Sequence, residues 1–487
     1  MSDAASRLAS LAEDLLGAPL PVRIRAWDGS EAGPPGPVLV IRHRRALRRM
    51  AWRPGELGLA RGWVAGDLDV EGDLYEALTR LAGHLWERAP GEGDRHGREA
   101  HDGAPHDGRG HEGRGHDGRG HGGRPRARRP RARRPHHPAR ARAARVARAL
   151  RAAGDPRLRA AARELLLLAG PWPPPAPPAE EVRRRSGPLH TKTRDRAAIS
   201  HHYDVGNDFY ALVLGPSMVY SCAYWTEDGT LEDAQRDKLE LICRKLALRP
   251  GDRLLDVGCG WGSLALHAAR HHGATVVGIT LSAEQAAYAR KRVADEGLTD
   301  RVEIRVQDYR DVRDGPYDAI ASVGMAEHVG AVRYRSYARL LYGLLKPGGR
   351  LLNHQIARRP EPREEEYRIN PFIDAYVFPD GELAPLGRTT ATLEEAGFEV
   401  RDVEAIREHY ALTLRRWVAN LEEHWDEAVR LAGPGRARVW RLYMAASALA
   451  FERNRIGVNQ VLAVRTPAGG ASGMPLRSRI WSESHGS

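Results

Sequence analysis

From Asp237 to Val464, short apolar runs alternate with longer stretches whose apolar residues recur every three or four positions. That is the pattern of strands covered on both faces, interleaved with one-sided helices. It predicts a helix over 237–248, strands at 253–257 and 275–280 around a helix at 263–272, and a helix at 283–296. Strands at 302–306 and 318–323, a helix at 333–345 and a strand at 350–356 follow, the last entered through the Lys346-Pro347-Gly348-Gly349 turn. Strand, helix and strand in succession require right-handed parallel crossovers, so the fold class is α/β, a doubly wound Rossmann-like sheet. Runs at 399–405 and 458–464 complete it as a sixth strand and an antiparallel seventh. Segments at about 360–390 and 409–454 exceed the minimal sheet, and insertions at its carboxyl edge build substrate pockets.

Upstream the pattern changes. Residues 20–88 hold short strands at 22–27 and 38–41, Gly-rich turns and a helix at 74–86, a small N-terminal α+β domain without catalytic spacing. Before it, Leu8, Leu11 and Leu15 share one face of a short helix, and no charged-then-apolar leader pattern is present. The longest apolar run, Leu165 to Ala169, is too short to span a bilayer. These features predict a cytoplasmic protein. The chain divides into an N-terminal domain (1–90), a basic linker (91–187), a catalytic domain (188–467) and a flexible tail (468–487).

Composition matters mainly in the linker. His106, His111, His116 and His121 repeat at five-residue intervals among Gly, Asp and Arg, with nothing apolar to bury, which predicts a disordered, solvated stretch; the alternative for such spacing is metal binding. Residues 121–151 carry twelve Arg and no acid. Over 95–187 there are 23 Arg against 9 acids, a net +14 where the whole chain is +12, so the remainder nets −2. The basic character thus belongs to the linker and suits an anionic surface. Within it, 139–169 has helix-forming composition, with Asp155-Pro156 as a cap and first-turn pair. The three cysteines, Cys222, Cys243 and Cys259, show no metal-ligand spacing, so no metal site is expected.

Candidate chemistry starts at Leu254-Leu255-Asp256-Val257-Gly258-Cys259-Gly260-Trp261-Gly262, an apolar strand running into alternating glycines and then a helix. Glycines at a strand's carboxyl end let the backbone turn sharply and approach a cofactor closely, as class I methyltransferases hold S-adenosylmethionine. A second buried strand ending at Thr280 lies one helix later, where the cofactor's ribose belongs. Most such sheets place Asp or Glu at that point, so Thr280 requires another ribose contact. Gln285 is the candidate, with an ordinary exposed helix residue as the alternative. Asp308, in Gln307-Asp308-Tyr309, is either an acceptor for the adenine amino group or a plain strand-end turn.

The blocks His201 to Tyr210, Tyr220 to Trp225, Asp256 to Gly262, Gly324 to Gly330 and Tyr376 to Gly381 together resemble cyclopropane fatty acid synthases and the related mycolic acid methyltransferases, over about 190–465. The resemblance implies a class I S-adenosylmethionine-dependent methyltransferase fold and methylene transfer to the double bond of unsaturated phospholipid acyl chains. Tyr220, Ser221, Asp256, Gly258, Gly260, Gly262, Thr280, Gln285, Asp308 and Tyr309 are its implied cofactor residues. It further implies a bicarbonate ion acting as base, held by the backbone around Cys222, the Glu327 carboxyl, the His354 imidazole, the backbone of Ile356 and the Tyr410 hydroxyl. Peripheral association with the inner face of an anionic membrane and a possible homodimer go with it; no specific nucleic acid is expected. At Ser447 many relatives carry Cys.

Each implied role has a plain counterpart. Glu327 suits a helix cap as well as a catalytic carboxyl beyond the fourth strand, and His354 a hydrogen-bonded core histidine. Tyr410 and Cys222 suit packing. Tyr203, Phe209, Tyr220, Tyr224 and Trp225, crowded into one segment, suit either core packing or the wall of an acyl channel facing a developing cation. Three readings of the chain remain open. A related enzyme would let the cation rearrange to a methylene- or methyl-branched chain. A nucleic-acid methyltransferase would use the Arg-rich run on phosphates. A lipid-binding protein would have lost its chemistry.

Overall fold

The structure, a computed structural model, describes residues 3–86, 156–170, 173, 175–182, 189–203, 205–364 and 367–476. Four short strands, β1 (Arg23–Arg25), β2 (Glu31–Ala32), β3 (Val38–Ile41) and β4 (Leu68–Glu71), form an N-terminal sheet in the order β2-β1-β3-β4. The helix Ala4–Leu16 buries Leu8 and Leu11 against Ile24 and Ile41 of that sheet, as its spacing predicts.

Residues 87–155, which include the first part of the expected linker with the His repeat and the Arg-rich run, lie outside the described residues. From Pro156 the expected helix is present, but it packs into the N-terminal core and does not belong to a disordered linker. Pro156–Ala169 is a helix with Ala161, Leu168 and Ala169 buried in the N-terminal core, and Arg7 Nε donates to Glu164 at 2.7 Å. Farther on, Arg61 donates twice to Glu181, at 2.6 and 2.7 Å, and Val182 N donates to Ala375 O at 2.8 Å. A one-sided apolar stripe finds a partner face here, which composition averaged over 91–187 conceals.

The large sheet contains β5 (Arg253–Val257), β6 (Thr275–Thr280), β7 (Val302–Val306), β8 (Tyr317–Val323), β9 (Leu345–Arg358), β11 (Glu399–Ala405) and β12 (Ile456–Val464), in the order β11-β12-β9-β8-β5-β6-β7; β10 (Ala384–Pro385) adds to β9. β12 runs antiparallel to both β9 and β11, and the pairs from β9 to β7 are parallel. This is the doubly wound arrangement with one reversed strand that the periodicity predicts. Two boundaries shift. The first helix is Leu231–Leu246, started by a capping box between Thr230 and Asp233, and β9 takes in the expected 346–349 turn.

The insertions cover the sheet's carboxyl edge. Helices Arg407–Glu423 and Pro434–Glu452 share one apolar core with Phe209, Tyr210, Phe372 and Tyr376, and that core continues into the N-terminal domain through Leu57, Ala60, Trp63, Val64 and Leu74. Trp63 is the link. Its Nε1 donates to Arg438 O at 2.8 Å, and Arg438 returns a bond from Nε to Trp63 O at 2.7 Å, with its guanidinium 4.9 Å from the ring centre. Truncating a buried Trp costs about 3–5 kcal/mol. Trp63→Ala is therefore expected to lower the urea midpoint of the whole chain, catalytic domain included; an unfolding transition confined to the N-terminal residues would contradict a shared core.

Candidate functional site

Above the carboxyl ends of β5, β6, β8 and β9 lies a cavity of about 1500 Å³. Its floor is the glycine turn, whose three glycines all have positive φ, each under a different constraint. A Cβ on Gly260 (φ +55°) would meet nothing within 4 Å, because it faces the cavity. A Cβ on Gly258 would stand 3.3 Å from Met325 Sδ, and one on Gly262 would stand 3.1 Å from Ala289 Cβ of the next-but-one helix. Gly258 N and Cys259 N donate to Ile279 O at 2.9 and 3.0 Å, locking the turn to β6.

At the end of β6, Thr280 Oγ1 donates to Gln285 Oε1 at 2.9 Å, and Ser282 caps the helix that carries Gln285. Gln285 is buried at the cavity wall and not an exposed helix residue. Behind the loop, Asp256 and Lys238 are both buried and both line the cavity. Loss of hydration raises the Asp256 carboxyl to about 7 and lowers the Lys238 ammonium to about 8, each opposed by the other's charge. Lys238 Nζ donates to Ser221 Oγ at 3.0 Å, and Asp256 Oδ2 meets no donor.

The second wall holds Glu327 and His354. Glu327 Oε1 accepts from Ile356 N at 2.7 Å, whereas its buried Oε2 has no partner, and burial raises its carboxyl to about 7. Burial, with Lys238 and Lys245 adding repulsion, lowers the His354 imidazole to about 3 and keeps it neutral. Its tautomer follows from a chain of contacts. Fully buried Lys245 donates to Gln460 Oε1 at 2.7 Å, which leaves the Gln460 amide to donate to His354 Nδ1 at 3.3 Å. The proton then sits on Nε2, which lines the cavity side and has no acceptor. Tyr410 lines the same cavity, its phenol raised well above the ordinary range by burial.

Of the candidate residues, Tyr220, Ser221, Asp256, Gly258, Gly260, Thr280, Gln285, Tyr309, Glu327, His354, Ile356 and Tyr410 border this one cavity. Cys222, Gly262 and Asp308 do not. Cys222 lies behind the wall with Sγ 3.2 Å from Ala223 O, and Gly262 serves helix packing. Asp308 departs from the expected adenine contact: its carboxylate is taken by Arg310 Nε and Nη2 at 2.8 and 2.6 Å, and Arg310 also reaches Asp195 at 2.9 Å. Ile356 departs too, since Glu327 accepts its N–H.

Lys238 and Lys245 were missed from the sequence, though a signal was there. Along Leu231–Leu246 the buried positions include Ala234, Gln235, Lys238, Leu241, Ile242 and Lys245, so two lysines stand on an otherwise apolar face. The aromatic crowd is packed, as one of its two readings had it. His202 stacks between Phe378 and Tyr220, at 4.1 and 5.6 Å between ring centres, and Tyr203 lies edge-on to Trp261 at 5.7 Å. Ser447 also borders the cavity.

A family model described as mycolic acid cyclopropane synthetase matches residues 190–461. A probable fatty acid methyltransferase of Mycobacterium tuberculosis is 42% identical over 470 residues, 94% of either chain. The cyclopropane-fatty-acyl-phospholipid synthase of Escherichia coli K12 is 40% identical over 274 residues, 56% of this chain and 69% of that one. Among solved structures, a cyclopropane synthase of Mycobacterium tuberculosis is similar at TM-score 0.53 and 32% identity, covering 57% of this chain and 100% of that one. A mycolic acid cyclopropane synthase complexed with SAH and CTAB reaches 0.52 and 34%, covering 55% and 98%.

Two predictions follow from the site's electrostatics and sterics. A carboxyl whose folded pKa is raised binds protons that the unfolded chain has released, so its burial costs stability increasingly from about pH 4.5 to about pH 7. Glu327→Gln keeps an acceptor for Ile356 N and removes that cost. Its unfolding free energy should match wild type near pH 4 and exceed it by about 3 kcal/mol at pH 8; an equal difference at both pH values would show that Glu327 is hydrated. Separately, Gly260→Val places a branched side chain in cofactor space at a left-handed φ. Calorimetry should show S-adenosylmethionine affinity falling at least about tenfold, roughly 1.4 kcal/mol, with the fold intact by circular dichroism.

Proposed function

The chain belongs to the family of mycolic acid cyclopropane synthetases and is an S-adenosylmethionine-dependent methyltransferase, and from that premise we propose that it converts the double bond of unsaturated phospholipid acyl chains to a cyclopropane ring. The observation that carries the reading is one cavity joining the glycine turn to Glu327 and His354. At about 1500 Å³ it exceeds the roughly 300–1,000 Å³ of ordinary small-molecule sites, giving room for a cofactor and a chain together. A relative's complex with SAH and CTAB supports such shared occupancy. Exposed Arg359, Arg368 and Arg455 border the cavity where it meets solvent and suit an anionic headgroup.

The buried residues fit both small groups. Unpartnered Asp256 Oδ2 and the open face of Gly260 suit the methionine end of S-adenosylmethionine, with Thr280 and Gln285 for the ribose. His354 Nε2–H as donor and Glu327, neutral below about pH 7, as a second donor suit a bicarbonate anion, with Tyr410 OH beside them. When bound, S-adenosylmethionine supplies an electrophilic methyl and bicarbonate a base. The alkene's electron pair forms the new carbon–carbon bond as the carbon–sulfur bond breaks, leaving a cation on the chain. Loss of a proton from the added methyl to the base leaves that C–H bond's electron pair to close the ring on the cationic carbon. Apolar walls exclude water that would otherwise trap the cation. The residues do not act on an alkene proton before attack, since none is acidic.

A second reading has a specific basis. A relative that aligns over 94% of the chain is named a probable fatty acid methyltransferase, and the small Ser447 borders the cavity. There a hydride would first shift from the methylated carbon to the neighbouring cationic carbon, and loss of a proton from the added methyl to the base would then leave a methylene-branched chain. Mass spectrometry of lipids from a host expressing the chain, with ring and exomethylene distinguished at equal mass, decides between them. Glu327→Gln should lower product at least about a hundredfold with cofactor affinity within about threefold of wild type. Loss of affinity in parallel with rate, or transfer to DNA or RNA but not lipid, would overturn the proposal. The Arg-rich 121–151 run gives the enzyme a means of docking on anionic vesicles, by about 1 kcal/mol per Arg near the surface.

A further inference from the structure

On the side of the glycine turn away from the cavity, two helices bring together donors that the proposed reaction does not use. Cys243, from Leu231–Leu246, and His267 and His272, from Ser263–His272, hold ligand atoms all within 4.8 Å of one another. Glu240, one turn before Cys243, accepts from both imidazoles at a single oxygen: His267 Nε2 and His272 Nε2 each stand 3.0 Å from Oε2. Arg244 donates to the other oxygen at 2.8 Å and so stays off the point of convergence. Cys243 is fully buried, while the His267, His272 and Glu240 side chains are 9%, 17% and 30% exposed, which leaves a path for an ion.

We propose that Glu240, Cys243, His267 and His272 form a tetrahedral site for a divalent transition metal, zinc by donor set, that pins these two helices together. One thiolate, two imidazole nitrogens and one carboxylate oxygen suit Zn²⁺. Zn–S of about 2.3 Å and Zn–N of about 2.0–2.1 Å imply donor separations near 3.3–3.6 Å, so Cys243, His267 and His272 close by about 1 Å, and the Glu240 carboxylate, 3.0 Å from both imidazoles but outside that group of three, turns toward the thiol as the fourth donor. Binding releases the Cys243 thiol proton and the Nε2 protons, each imidazole keeping its hydrogen on Nδ1. Neither spacing nor cysteine count reveals the site, because its donors come from separate helices and only one is sulfur. Its place matters to the enzyme. One helix begins at the cofactor turn at Gly262, and the other carries Lys238 into the cavity.

The test uses the full-length chain, stripped by chelator, kept reduced and titrated with Co²⁺. The His-rich stretch contains no sulfur, so a thiolate-to-cobalt charge-transfer band distinguishes this site from any metal taken up there. The proposal expects that band and tetrahedral-intensity visible bands to saturate at one equivalent, to be displaced by Zn²⁺, and to vanish in Cys243→Ser. His272→Gln, a change at a partly exposed helix end that the fold tolerates, should weaken Co²⁺ binding at least tenfold, and Zn²⁺ should raise the melting temperature of wild type more than that of this variant. No charge-transfer band in wild type, a band that survives in Cys243→Ser, or equal titrations for wild type and His272→Gln would overturn it.

Discussion

Desolvation of charge is the constraint on which the site depends. Asp256, Lys238, Glu327 and His354 all face one cavity from inside a wall that removes their hydration, and each responds by shifting toward its neutral form. In open water Glu327 would be an ordinary carboxylate and His354 a partly charged imidazole. Buried, both can donate hydrogen bonds near neutral pH, and an anion is the natural guest of two such donors. In the proposed reaction the same dryness would give a cation on a hydrocarbon chain time to lose a proton before water reaches it. Charge tuning and substrate tolerance are thus two results of one apolar enclosure.

That enclosure needs more surface than the central sheet offers. The helices Arg407–Glu423 and Pro434–Glu452 roof the carboxyl edge, and the N-terminal domain backs the roof through Trp63 and the Arg438 contacts. Residues 175–182 add the Arg61–Glu181 pair, whose Glu181 also accepts from Tyr376 at 2.9 Å. The N-terminal domain thus packs directly on the helices that border the cavity.

The sheet was legible from period and turn chemistry, because long alternations of buried strand and one-sided helix have few other solutions. The cofactor loop was legible for a similar reason, glycine being strongly favoured where backbone turns at positive φ. Lys238 and Lys245 were not read, since a lysine on an apolar helix face contradicts the usual rule and acquires sense only from partners far along the chain, Ser221, Glu404 and Gln460. Asp308 had two readings, an adenine contact and a plain strand-end turn, and the pairing of its carboxylate with Arg310, two residues on, favours the second. The helix at Pro156–Ala169 was legible from its composition and its Asp155-Pro156 start, whereas its packing against the N-terminal core was not.

Glu327 and His354 also show why residue identity leaves the product open. Both are held by backbone or amide contacts that fix their direction, Glu327 by Ile356 N and His354 by the Lys245–Gln460 chain. The proposed base is therefore stationary, and the cation must be brought to it. A hydrocarbon chain offers no polar handle for that, so its placement falls to shape: the rings of Tyr203, Tyr220 and Phe378 on one side and the small Ser447 on another. An ångström of slack in those walls changes which hydrogen lies nearest the base, and with it ring closure or branching. Product identity in such an enzyme is set by packing against the substrate, while the conspicuous polar residues set only that a proton is lost.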